Sequence, residues 1–118
     1  MKKENRTFRH LLEDMLDAID AIEEYSSGVS REQFLTDRMR KDAVVRNLEI
    51  IGEAAKSIPS TIKETYTKVP WEKMYRMRNI ATHHYFGIDY EIVWKIIKDY
   101  LPQDKEALIE IIQSFDNE

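Results

Sequence analysis

One ten-residue stretch, Arg76-Met77-Arg78-Asn79-Ile80-Ala81-Thr82-His83-His84-Tyr85, gathers two guanidinium groups, an amide, two imidazoles and a phenol. Metal-free cleavage of RNA by its own 2′-hydroxyl needs groups of these kinds. Something must take the hydroxyl proton, something must return one to the leaving oxygen, and positive charge must sit beside the phosphorane. Histidine suits both proton transfers because its ordinary pKa lies near neutrality. Arginine suits the phosphorane, being permanently charged and shaped to match phosphate. The spacing then sets a condition. Arg78 and His83 are five apart, so on an unbroken helix they diverge by roughly 140° at 100° per residue. They meet one phosphate only if the helix unwinds near Thr82 or if two chains contribute. Asn79 and His83, four apart, share a helix face, and a hydrogen bond there would orient the imidazole. Arg76, seven before His83 and nearly in phase with it, is a candidate phosphate contact.

Plainer readings fit the same residues. An arginine at a helix end is commonly solvated or salt-bridged, and a loop histidine commonly caps or faces water. His84 reads as a bystander, and His10 as a surface residue among acidic neighbours. Tyr85, Phe86 and Trp94 fit a core as well as a base-stacking platform. His83-His84 with scattered carboxylates suggests a metal only weakly, because adjacent histidines on a helix point about 100° apart and no HExxH-type spacing supplies a second ligand. The three glycines, at 28, 52 and 87, form no phosphate-binding loop. No nucleophile-elbow pattern supports a Ser-His-Asp assembly. With no cysteine there is no thiolate site and no disulfide framework. No cofactor is expected.

The elements that must position this stretch read as helices. Phe8, Leu11, Leu12, Met15, Ile19 and Ile22 make one apolar stripe of a first helix, punctuated by Ser26-Ser27-Gly28. Glu13, Asp14, Asp17, Asp20, Glu23 and Glu24 form its acidic outer face. Ser30-Arg31-Glu32-Gln33 is a capping box opening a second helix that runs to Pro59. Its apolar side is Phe34, Leu35, Val44, Val45, Leu48, Ile51, Ala55 and Ile58, over about 28 residues or about 42 Å. Gly52 and Ala54-Ala55 are small enough for close helix approach, at some cost in helix stability for the glycine. Residues 59–70 read as a connection. A third helix is expected from Trp71, which anchors its start, to about Ala81. A break at His83 to Gly87 follows, and Asp89 caps a fourth helix with Ile92, Val93, Ile96, Ile97, Tyr100 and Leu101 apolar. Pro102 either kinks that helix or starts a fifth, with Ala107, Leu108, Ile111, Ile112 and Phe115 inward. The expectation is an all-α, four- to five-helix up-and-down bundle with a long second helix, one domain over residues 1–118.

Composition agrees. The chain has 118 residues, 42% hydrophobic and 34% charged, enough apolar material for a core. Its net charge of −4 argues against a general nucleic-acid binder. The charge is uneven, however. Residues 61–84 carry 5 basic and 2 acidic groups, against 10 and 12 before them and 3 and 8 after. A polyanion would be met at that +3 segment, helped by a partner chain. No apolar run approaches the roughly 20 residues that span a bilayer. The N-terminus lacks a signal-peptide core. A cytoplasmic location is therefore the expectation.

Arg78-x-x-x-x-His83-x-Tyr85 resembles the R-x4-H-x-Y signature of HEPN-domain toxins of the HepT type. Flanking blocks share the resemblance: Asn47-Leu48-Glu49-Ile50-Ile51-Gly52-Glu53-Ala54-Ala55, Val69-Pro70-Trp71, and Ile88-Asp89-Tyr90-Glu91-Ile92-Val93-Trp94. It covers roughly residues 6 to 115. The resemblance implies a HEPN-like all-α homodimer whose motif segments face each other and form a composite RNA-cleaving cleft. It implies metal-independent endoribonuclease activity acting as a bacterial toxin, on tRNA or mRNA. Arg78 would stabilise phosphorane charge, His83 would act as acid–base catalyst and Asn79 would support them. The implied partner is an antitoxin resembling a minimal nucleotidyltransferase, which in related systems transfers AMP to the motif tyrosine, here Tyr85. The alternative is a non-catalytic helical subunit that binds nucleotide or scaffolds the nucleotidyltransferase.

Overall fold

A computed structural model describes residues 3–82 and 87–117 of the chain. Among the described residues every regular element is helical. Helix α1 spans Lys3–Ser26 and buries the predicted stripe, with Phe8, Leu12, Met15, Ile19 and Ile22 shielded from solvent. It ends as its sequence dictates. Ser26 Oγ donates to the Ile22 carbonyl at 2.8 Å, and Gly28 takes the left-handed conformation, φ 71°.

The capping box at Ser30 is present in both directions. The serine oxygen accepts from the Gln33 amide at 3.1 Å, and Gln33 Oε1 accepts from the Ser30 amide at 2.9 Å. The helix it opens is short. Helix α2, Arg31–Thr36, stops at Asp37, and α3, Arg38–Lys56, begins there, so the single long second helix expected from Ser30 to Pro59 is corrected to two. The cause is local. Asp37 is extended (φ −103°, ψ 96°), and its carboxylate accepts from the Arg40 amide at 3.1 Å and the Arg40 guanidinium at 2.6 Å. These bonds hold its pKa below the ordinary carboxylate value. A side chain that caps the next helix has withdrawn its residue from the previous one.

The connection after Pro59 also holds a helix that the periodicity missed, α4 at Ser60–Thr65. Its next turn returns the chain so that Trp71 is buried and its indole N–H donates to the Tyr66 carbonyl at 2.9 Å. Helix α5, Trp71–Thr82, follows the expected third helix closely. Asp89 caps α6, Tyr90–Lys95, its carboxylate accepting from the amides of Glu91 and Ile92. Of the two expectations for Pro102, the second holds: it stands in the first turn of a separate last helix, the position where a missing amide costs least. A π-helical turn over Ile96–Tyr100 joins α6 to α7, Leu101–Asp116, and the Leu101 amide reaches back five residues to the Ile96 carbonyl. Proline has no amide to give its turn and crowds the carbonyl four residues back, and one wider turn accommodates both.

Helix α3 packs along both α1 and α5 in the two most extensive contacts of the bundle, and α7 closes against α1. Val44, Leu48, Ile51 and Ala55 of α3 meet the α1 stripe, with Met74 and Met77 from α5 and Leu101, Leu108, Ile111 and Phe115 from α7. Phe8 and Phe115 close one end edge to face, ring centres 4.8 Å apart. The acidic face of α1 is partly answered by Lys105, whose Nζ lies 2.9 Å from Asp20 and 3.2 Å from Glu23. One expectation changes sign here, and one burial enters that the sequence reading did not address. Ile92, placed on the inward stripe, is 54% exposed, and Asp104 is buried at 6%. Asp104 lies three residues after Leu101, four before Leu108 and seven before Ile111, so the ordinary helical period of α7 puts it on the core face.

Candidate active site

Arg78 lies on the face of α5 that meets α3, at a close approach of the two backbones. A methyl group at Gly52 would stand 2.6 Å from the Arg78 amide nitrogen, 2.7 Å from Arg78 Cβ and 2.8 Å from the Tyr75 carbonyl oxygen. No side chain fits there. Gly52 is therefore present because α5 occupies the space of its Cβ, which explains a glycine mid-helix despite a cost of about 1 kcal/mol relative to alanine.

The next residue uses that approach. Glu53 Oε1 lies 2.9 Å from Arg78 Nε. On the other side, Arg78 Nη1 donates to the Tyr75 hydroxyl at 3.2 Å, with Arg78 Cζ 5.6 Å from the Tyr75 ring centre. The Arg78 side chain is 25% exposed, which leaves a guanidinium held at its inner part and open to solvent in part. Such a group can carry fixed positive charge to an anion without being buried beyond its reach.

Of the other sequence-predicted residues, Asn79 follows Arg78 and is half-buried. Arg76 is not brought to Arg78. Two residues apart on one helix, they lie about 200° around its axis. Arg76 is exposed, with its Nε 3.4 Å from Glu72. His83 and Tyr85, with His84, lie outside the described residues. The structure brings together Arg78, Tyr75, Gly52 and Glu53. Sequence pattern singles out Gly52 as small, but assigns nothing to Glu53 or Tyr75. The available signal was the pair Gly52-Glu53 itself, a helix breaker beside a charge in the middle of a helix, though it does not say which residue 20 or more positions away it meets. Among the described residues no three His, Asp or Glu side chains converge as a metal site, and no helix is long and apolar enough to cross a membrane.

Comparison with known proteins gives this arrangement its context. A family model described as ribonuclease HepT-like matches residues 15–111. A protein of Methanocaldococcus jannaschii named as a putative RNase is 41% identical over 118 residues, 99% of this chain and 94% of its own length. One of Thermococcus cleftensis, named "Probable ribonuclease HepT", is 43% identical over 100 residues, covering 85% of this chain and 91% of its own. No solved structure gives a significant match. The matched span contains both helices of the Gly52–Arg78 crossing and the whole motif, and the chain belongs to the HepT-like ribonuclease family.

Proposed function

We propose that this single HEPN-like domain is the toxin of a toxin–antitoxin pair, a metal-independent endoribonuclease acting on tRNA or mRNA. Membership of a ribonuclease family supports the activity class. The observation that carries the finer reading is Arg78, anchored at the α3–α5 crossing yet partly open, five residues before a histidine. In this reading His83 takes the 2′-hydroxyl proton and returns one to the 5′-oxygen, while Arg78 stabilises the phosphorane. Asn79 orients His83, and Arg76 contributes a peripheral phosphate contact. Two copies pair with their motif segments facing, which pools two +3 segments in one cleft despite the net acidity. The partner is a minimal nucleotidyltransferase antitoxin that adds AMP to Tyr85. A bulky anion there blocks the cleft and repels RNA.

The test is cleavage of end-labelled total RNA in EDTA by the purified chain, beside Arg78→Ala and His83→Ala. Cleavage that survives the chelator, leaves 2′,3′-cyclic phosphate and 5′-hydroxyl ends, and falls at least ~100-fold in both variants is the expected result. Products with 5′-phosphate ends would point to a metal-bound water instead. No cleavage by the unmodified chain would favour a non-catalytic nucleotide-binding or scaffolding subunit. The net charge of −4 is the observation on that side. Tyr85→Phe is expected to cleave normally and to escape the antitoxin.

A further inference from the structure

We infer that Glu53 is the positioning residue for Arg78, and that its carboxylate sets the orientation of the guanidinium at the expense of RNA affinity. The inference rests on the reading of Arg78 as the phosphorane-stabilising group.

Three observations carry it. The first is the contact itself: Glu53 Oε1 stands 2.9 Å from Arg78 Nε, an ion pair at the nitrogen nearest the stem, where an opposite charge limits how far the fork can swing. The second is that the contact is built. It spans two helices brought together by the missing Cβ of Gly52, and Tyr75 restrains Nη1 from within α5 at 3.2 Å. A charge that stabilises a transition state is most effective when held in place beforehand, so that no reorganisation is needed as the phosphorane forms. The third is that stability does not explain the pair. Glu53 is 53% exposed, and ion pairs that open to water contribute little to folding. A carboxylate beside the phosphate-binding arginine also repels RNA, so a residue serving binding alone would not be acidic.

These roles make turnover and RNA affinity respond in opposite directions. Glu53→Gln and Glu53→Ala are expected to lower kcat about 10- to 100-fold, as for other losses of alignment. KM is expected to stay level or fall about 2- to 5-fold as the local field becomes more positive. Glu53→Asp, with a shorter reach, restores part of kcat. Melting temperatures stay near that of the parent chain, and Glu53→Ala added to Arg78→Ala costs no further activity. The second readout is independent of catalysis: the 15Nε–H resonance of Arg78, assigned by its loss in Arg78→Lys. A slowly exchanging Nε–H in the parent chain should become fast-exchanging in Glu53→Ala.

Unchanged kcat in both Glu53→Gln and Glu53→Ala overturns the inference while leaving the ribonuclease reading intact. So does a KM that rises with kcat unaltered, which would mean that Glu53 contacts RNA favourably. A parent chain that cleaves no RNA removes the ribonuclease reading by itself. The Arg78 resonance then decides alone whether Glu53 holds Arg78: unchanged exchange in Glu53→Ala overturns the inference, and accelerated exchange sustains it.

Discussion

Two carboxylates of this bundle have opposite circumstances. Glu53 sits at the α3–α5 crossing, half open to water, with a guanidinium 2.9 Å away. Asp104 sits on the core face of α7, 6% exposed, and its Oδ2 makes no hydrogen bond among the described residues. Burial raises the Asp104 pKa from 3.8 to about 6, only partly offset by the charge of Lys73. Lys73 itself lies over the Tyr100 ring, its Nζ 3.2 Å from the ring centre. The lesson is one of placement. The same functional group positions a cation where water screens it and a partner meets it. It opposes folding where the helix register carries it into the core.

Substitution at the crossing is expected to have the largest effect. Gly52→Ala places a methyl group inside contact distance of the α5 backbone, which has no flexible side chain to move aside. The helix gains about 1 kcal/mol of propensity, and overpacking costs about 1–3 kcal/mol or more, so the denaturant midpoint should fall. RNA cleavage should fall further, about 100-fold, because the displaced atoms are those of Arg78. A variant with a lowered midpoint and normal cleavage would separate packing from positioning and break the contrast between the two carboxylates.

Asp104→Asn is expected to act in the opposite direction. In the unfolded chain the Asp104 carboxyl loses its proton near 3.8, and in the folded chain near 6. Folding therefore holds the proton more tightly. The stability this group allows is full at low pH, declines as pH rises from about 4 to 6, and stays lost above. Removing the charge should raise stability by about 1–2 kcal/mol at pH 8 and by almost nothing at pH 4. Urea unfolding of the two chains at both pH values measures it. An equal difference at both would show that the burial of the ionised form is not the cause.

The legible and the illegible parts of the molecule divide along the range of the interactions. Ser30-x-x-Gln33, Gly28 and Asp89 work within one turn, and each is found where its residue type places it. The α1 stripe is legible because one helix carries its whole pattern. The break at Asp37 is also local, and its signal was a gap. Between Leu35 and Val44 the apolar stripe is interrupted, and Met39, the one large apolar side chain there, is 84% exposed. A pattern read for its hits passes over such gaps. The burial of Asp104 follows the ordinary helical spacing of α7, three residues after Leu101 and four before Leu108, but a stripe read only from apolar residue types passes over a carboxylate on it. The motif Arg78 to Tyr85 stood out in the sequence, whereas Glu53 and Tyr75 acquire meaning only from the distance between two helices.

The smallest effect is expected at Arg76, and it tests whether position or charge matters at this end of α5. Arg76 and Arg78 have the same side chain two residues apart. One faces α3 with 25% of its side chain exposed, and the other faces water at 68% beside Glu72. An exposed cation on the rim of a cleft attracts RNA through a screened field, so Arg76→Ala should raise KM about 2- to 3-fold at low salt. The effect should fade as ionic strength approaches roughly 0.2 M, with kcat unchanged. On the proposed reading Arg78→Ala should show the reverse, a loss in kcat that salt does not alter, because there its charge would act at the reacting phosphate, held from behind by Glu53. Equal losses in kcat for both variants would mean that the α3–α5 crossing confers no special status on Arg78, and that the +3 segment acts as a whole.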